Sequence, residues 1–174
     1  SKGVNTVFLL TGGAIAFTVD AFSKRKDISY VCVQHEQAAA MMADSYARIK
    51  NNFAATMTTS GPGATNLITG IACSYFDSIG NIHITGQVNL SEQRGGMPGT
   101  KQSRQIGFQE TDIVSITKPI TKKSVMITPL SPPKALYKTV IIGADIRVWA
   151  GEKSRRTLPI FIAAKQTDAI IIIL

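Results

Sequence analysis

One carboxylate and two glycine-bearing turns are the residues of this chain best suited to chemistry. Glu36 follows His35 between a β-type run, residues 28–34 (ISYVCVQ), and an Ala- and Met-rich helical run, residues 37–48 (QAAAMMADSYAR). A strand, an acid and a helix in that order present a single carboxylate at the carboxyl edge of a parallel sheet, the edge at which such sheets bind ligands. Cys32, Val33, Ala38, Ala39 and Met41 surround Glu36 in sequence, and Lys26 is the only Lys or Arg within ten residues of it. In so apolar a setting desolvation favours the protonated acid, which suits general acid–base work. The plainer alternative is an acid in a first helical turn, offsetting the helix dipole by about 0.3–1 kcal/mol. The second feature is Thr59-Ser60-Gly61-Pro62-Gly63-Ala64-Thr65-Asn66. Its glycines have no side chain and Pro62 offers an apolar face, so the backbone there can approach a flat ring. Without a ligand, the same residues are a helix start with Ser60 as N-cap. Thr11-Gly12-Gly13 is a third such turn, where a tight bend alone would call for glycine.

These turns need elements to hold them. Residues 4–10, 28–34, 53–59 and 81–87 are predicted strands, short apolar runs bounded by turn residues, and residues 120–127 predict a closing strand. Helices are predicted over 14–22, where Ile15, Val19 and Phe22 share a face, over 35–50 with Asn51-Asn52 as its stop, over 63–76, and over 108–115. Alternation of this kind predicts an α/β fold, a three-layer doubly wound parallel sheet. Residues 89–107 form a polar loop without period, of a length that in compact domains is usually functional. His83 sits inside an apolar strand and reads as a satisfied core histidine, while His35 reads as positioning its turn.

HEQAAAMMADSYAR followed by TSGPGATNLITGIA resembles the pyrimidine-binding domain of thiamine diphosphate enzymes, and within them the acetolactate synthase group, from about residue 3 to residue 127. The resemblance implies that Glu36 is catalytic, bonding to the cofactor's pyrimidine ring so that the ring's amino group can deprotonate the thiazolium carbon. It places Gly12, Gly13, Pro62, Gly63 and Asn66 beside Glu36 around the cofactor, with Thr65 and Asn66 orienting the turn. Phe108-Gln109-Glu110-Thr111-Asp112 matches the family's F-Q-E-x-D, which puts Phe108 and Gln109 on the substrate side. Thr121-Lys122-Lys123-Ser124 resembles its T-K-H-S, making Lys122 a candidate anion contact; on its own, Lys122 is a solvated basic edge. The implied activity is that of a 2-ketoacid carboligase or decarboxylase. Leu10-Thr11 replaces the group's Tyr-Pro and the 89–107 loop is more polar, which keeps open a decarboxylase or lyase of sugar or polysaccharide metabolism. No Gly-Asp-Gly occurs, so no metal ligand is expected here. Thiamine diphosphate would be held by its pyrimidine half only, and Mg2+, with FAD where the enzyme uses it, would depend on domains absent from this chain. The missing half implies a homo-oligomer or a complementary diphosphate-binding domain as partner, an interface exposing Met41, Pro62 and Phe108, and an inactive isolated chain. A non-catalytic fragment or one half of a split enzyme is the alternative.

The charge adds little to this. Of a formal +8 over 174 residues, residues 1–117 contribute nine Lys/Arg against eight Asp/Glu, and residues 118–174 ten against three. The basic excess lies outside the motifs and lacks aromatic interleaving or zinc spacing, so neither nucleic acid nor membrane is expected as a partner. Residues 169–174, the longest apolar run, are too few to span a bilayer. Cys32 and Cys73 lie in apolar runs and predict buried free thiols and a cytoplasmic protein. The expected domain is residues 1–127, with its first helix missing. Residues 128–174 lack the family's R-x-G-P-V strand and read as a divergent or out-of-frame tail.

Overall fold

The computed structural model describes residues 4–95, 98–99 and 103–127, and residues 169–173 as backbone. Strand β1 (Thr6–Leu9) leads through a 3-10 turn, Gly13–Ile15, into α1 (Ala16–Ser23). Then follow β2 (Ser29–Cys32), α2 (Glu36–Lys50), β3 (Ala54–Thr58), α3 (Pro62–Thr65), α4 (Ile68–Phe76) and β4 (Asn81–Gln87). A 3-10 turn, Leu90–Glu92, precedes α5 (Ile113–Thr117), and β5 (Ser124–Ile127) and β6 (Ala169–Ile173) complete the order. The sheet runs β2-β1-β3-β4-β6-β5, with β2, β1, β3 and β4 mutually parallel and Val7 level with both Tyr30 and Ala55.

Alternation along the strands makes two unlike faces. Val7, Leu9, Ala55, Met57, Ile82 and Ile84 form one, covered by Ile15, Val19 and Phe22 of the first turn and α1, as their spacing predicts. On the other, Phe8 and Ala54 meet Ala39, Ala43 and Ala47 of α2. The small side chains let α2 lie close to the sheet, and Ala40 on its flank packs with Leu67, Ile71 and Ile113. The result is the three-layer α/β arrangement expected from the sequence. A polar seam also runs along the α2 face. Asp44 accepts hydrogen bonds from Arg48 (2.6 Å) and from buried Ser74 (2.8 Å), Ser74 meets the Asn81 amide at 2.8 Å, and His83 Nδ1 lies 2.8 Å from Thr56 Oγ1.

Several local expectations change. The closing strand begins at Ser124 rather than residue 120, because Lys118–Ile120 makes a 3-10 turn around Pro119. It does not join β4 directly: β6, a run of isoleucine after Ala169, pairs antiparallel with both. The expected helix at 108–115 is instead α5, since Gln109 has a left-handed φ of 57° and Asp112 caps the helix by accepting from Ser115 N at 3.1 Å. The helix over 63–76 is two pieces, α3 and α4, and Gly61 rather than Ser60 is its N-cap. Cys32 and Cys73 are free thiols but exposed, not buried, because Cys32 lies on an edge strand with every residue exposed and Cys73 on the outer side of α4. Residues 128–168 lie outside the described residues.

Two predictions follow from this packing. A Cβ on Gly70 would stand 2.3 Å from the Cβ of Ala40, between α4 and α2, where neither can swing aside. Helix propensity favours alanine by about 1 kcal/mol, but overpacking costs about 1–3 kcal/mol; Gly70→Ala therefore lowers the urea midpoint, and a rise would show the helices less tightly apposed. His83 is 2% exposed and burial pushes its pKa down to about 4, against a smaller opposite pull from Asp44. The unfolded imidazole takes up a proton below about 6.5 and the folded one only near 4, so this contribution is whole above that window and is lost as pH falls through it. By pH 5 the loss amounts to about 2 kcal/mol. Stability of the parent chain should thus fall more steeply between pH 6.5 and 4 than that of His83→Gln; parallel profiles would refute it.

Candidate cofactor site

The site is built where β1, β2 and β3 end. After β2 the chain leaves in extended geometry at His35, the N-cap of α2, whose Nδ1 accepts from Gln37 N at 3.2 Å. The cap starts the helix on Glu36 and so fixes its carboxylate at the carboxyl edge. At the other end Asn51, at φ 52°, stops α2 as expected.

Glu36 is 8% exposed, and its Oε2 accepts a 2.9 Å hydrogen bond from Asn66 Nδ2, thirty residues away on the turn after β3. No ion pair among the described residues reaches it. Its other oxygen faces bare backbone: a Cβ on Gly63 would come 3.6 Å from Oε1 and 2.7 Å from Thr59 Cγ2. Glycine at 63 therefore keeps open the approach to the one carboxylate oxygen that has no side-chain partner.

Thr59 also fills the space beside Gly12, where a Cβ would fall 2.4 Å from the threonine's own. Gly12 is extended (φ −176°), so its reason for being glycine is this contact and not strain. Gly13 faces open space, and a Cβ on Gly86 would strike the Ala14 carbonyl, which brings the end of β4 to the same place. Gly61, at φ 59° and ψ −120°, adopts a backbone that only glycine takes readily, with the Gln109 carbonyl 2.3 Å from where its Cβ would be. Gln109 itself is left-handed, a strain of about 1 kcal/mol or more for a residue with a side chain.

Gly12, Gly13, Glu36, Pro62, Gly63 and Asn66 thus occupy one edge, with Gln109 laid over Gly61. Pro62 is exposed, Phe108 is 84% exposed, and Met41 is half-buried while its neighbour Met42 is the exposed methionine. Lys122 is not brought there. It precedes β5, which runs parallel to β4 with Ser124 and His83 both level with Ile173, so Lys122 lies toward the amino edge, away from Glu36. Thr59 is a contributor that the sequence did not single out. Thr59 was visible inside its motif, but its contact with Gly12 joins residues distant in the chain. Among the described residues no three His, Cys, Asp or Glu side chains gather as a metal site, and no helix is long and apolar enough to cross a membrane.

A buried acid, an unsubstituted approach to it and an exposed proline beside it suit a flat heterocycle carrying both donors and acceptors. The family model for the thiamine pyrophosphate enzyme, N-terminal TPP binding domain, matches residues 1–116, and the chain belongs to that family. Its similarity is to acetolactate synthases in particular. It is 40% identical over 141 residues to the acetolactate synthase large subunit of Buchnera aphidicola from Schizaphis graminum, covering 79% of this chain and 22% of the relative. To the isozyme 3 large subunit of Escherichia coli it is 39% identical over 147 residues, 84% of this chain and 24% of that protein. To the large subunit of Cyanidium caldarium it is 44% identical over 127 residues, 71% and 20%. The chain therefore spans between a fifth and a quarter of the length of these relatives.

The Asn66–Glu36 bond generates a prediction of its own. Asn66→Ala leaves a buried carboxylate oxygen without its donor, which costs about 1–3 kcal/mol. Denaturant unfolding should register that loss, and an unchanged midpoint would mean that water serves Oε2 equally well.

Proposed function

We propose that this chain supplies the pyrimidine-binding half of the active site of a thiamine diphosphate-dependent 2-ketoacid carboligase or decarboxylase of the acetolactate synthase kind. The observation that carries the reading is Glu36, buried at the strand ends, held through one oxygen by Asn66 and left approachable through the other past Gly63. When bound, thiamine diphosphate supplies a thiazolium carbon able to attack a 2-ketoacid carbonyl.

This chain's residues bind and orient. Glu36 would hydrogen-bond to a pyrimidine ring nitrogen, Pro62 and Gly63 would offer the ring an apolar, unsubstituted approach, and the glycines at 12 and 13 would leave room beside it. Phe108 and Gln109 shape the substrate side. Lys122 stands outside this set within the chain. Residues 1–127 form the binding unit, with Ala169–Ile173 completing its sheet.

The remaining parts of the proposal rest on the family likeness. Mg2+ and the diphosphate are held by a complementary domain, on another copy or another chain, and FAD, where it is used, binds elsewhere again. That partner covers the edge bearing Pro62 and Phe108, both exposed here. The site of action is the cytoplasm, in keeping with two unpaired, exposed cysteines.

The test is Glu36→Gln in the full-length protein. Turnover of a 2-ketoacid that depends on added thiamine diphosphate should fall by at least about a hundredfold, with far-ultraviolet circular dichroism unchanged. Retained turnover removes Glu36 from the mechanism.

A further inference from the structure

Phe108 and Gln109 are held by a device that the reading so far does not use. They are the central residues of a four-residue turn closed by Glu110 N donating to Gly107 O at 3.1 Å. That turn carries the left-handed Gln109 and leaves Phe108 standing out from the surface, so it needs support from outside itself. On one side, buried Gly107 donates to Glu92 O at 2.7 Å, and a Cβ on Gly107 would come 3.0 Å from that same oxygen. Glu92 in turn accepts from Asn89 N through its Oε2 at 3.2 Å and donates its own N–H to Asn89 O at 2.9 Å. Further on, Gln87 Nε2 at the end of β4 donates to Thr111 O at 2.8 Å.

The remaining support is the Glu110 carboxylate. Its Oε2 accepts from Ile106 N at 2.9 Å and its Oε1 from Arg94 N. One side chain therefore joins the two ends of the loop that leads into the turn, using both oxygens on main-chain donors. A carboxylate is the side chain suited to this, since it accepts through two parallel oxygens and donates nothing. Bonds from main-chain N–H groups to an ionised acceptor are also stronger than their neutral equivalents.

We propose that Glu110 is a positioning residue for the substrate side of the site: by clamping Arg94 N and Ile106 N it fixes the turn that presents Phe108 and Gln109 over Gly61, and so sets the affinity for the 2-ketoacid without touching substrate or cofactor. This rests on the function proposed above. The clamp acts on geometry at the substrate end, while Glu36 and Asn66 lie on separate turns and keep their own bond. Its loss should therefore appear in substrate affinity and not in cofactor activation.

The experiment compares Glu110→Ala and the isosteric Glu110→Gln with the parent full-length enzyme, using pyruvate as the 2-ketoacid. The expected result for Glu110→Ala is a KM for pyruvate raised about tenfold, with kcat and the thiamine diphosphate concentration for half-activation within about twofold of the parent. Glu110→Gln keeps one acceptor and should recover part of the KM, which also covers the case in which the alanine variant does not fold. Amide hydrogen exchange at Arg94 and Ile106 should accelerate in either variant. An unmoved KM alongside faster exchange overturns the proposal, leaving Glu110 a purely structural tie, and so does exchange equal to the parent's. A fall confined to kcat or to cofactor half-activation overturns it too. A parent enzyme without thiamine diphosphate-dependent turnover overturns the proposed function, and the clamp's role with it; turnover with unmoved KM overturns the clamp alone.

Discussion

The site depends on one steric constraint: its turns come together only where Gly12, Gly61 and Gly63 carry no Cβ. Thr59 occupies the volume that a side chain on Gly12 or Gly63 would need, and the Gln109 backbone occupies that of Gly61. Because these contacts are made at van der Waals distance against backbone, they fix the relative position of the turns more tightly than hydrogen bonds between long side chains would. The Asn66–Glu36 bond is then possible at 2.9 Å across thirty residues of chain. A larger residue at any of these glycines would open the edge and separate the acid from its donor.

Beneath the edge, the α2 face of the sheet is unusually polar for a parallel sheet covered on both sides, whose strands ordinarily read as continuous apolar runs. Thr56, Thr58, His83 and Thr85 are all buried there. Thr56 and His83 satisfy each other, whereas the Thr58 and Thr85 hydroxyls, level with one another on β3 and β4, have no hydrogen-bond partner among the described residues. Asp44 deeper along α2 is answered by Arg48 and Ser74, and Arg48 reaches on to Asp77 at 2.6 Å, which pins α2 to the end of α4. The Asp44–Arg48–Asp77 ion pairs thus lie at the lower half of α2. The end that carries Glu36 is left with a neutral partner, the Asn66 amide.

Much of this was legible in the residues. The short apolar runs of β1, β3 and β4, the apolar stripe of the first helical region and the Asn51 stop of α2 were all readable because each rests on local composition, periodicity or one residue's backbone preference. Glu36 was found from its flanks, and the glycine turns from their composition. What escaped was non-local or conformational. The left-handed Gln109 prevented the helix that residues 108–115 otherwise favour, and nothing in the composition signals that φ. The strand at 169–173 enters between β4 and β5, a pairing that no local pattern specifies. Cys32 was misjudged because an apolar run on an edge strand looks the same in sequence as one in the centre. Glu110 was noted only as part of its motif, because its partners are main-chain groups, which carry no identity in a sequence.

The place of β1 in the sheet has a consequence for handling the molecule. This strand is hydrogen-bonded on both sides, to β2 and to β3, whereas β2 pairs with β1 alone. A break that removed Thr6–Leu9 would therefore take the shared neighbour from two strands and leave β2, already an exposed edge, with nothing to lie against. Any recombinant form of the domain needs Thr6–Leu9 free to insert between its two neighbours.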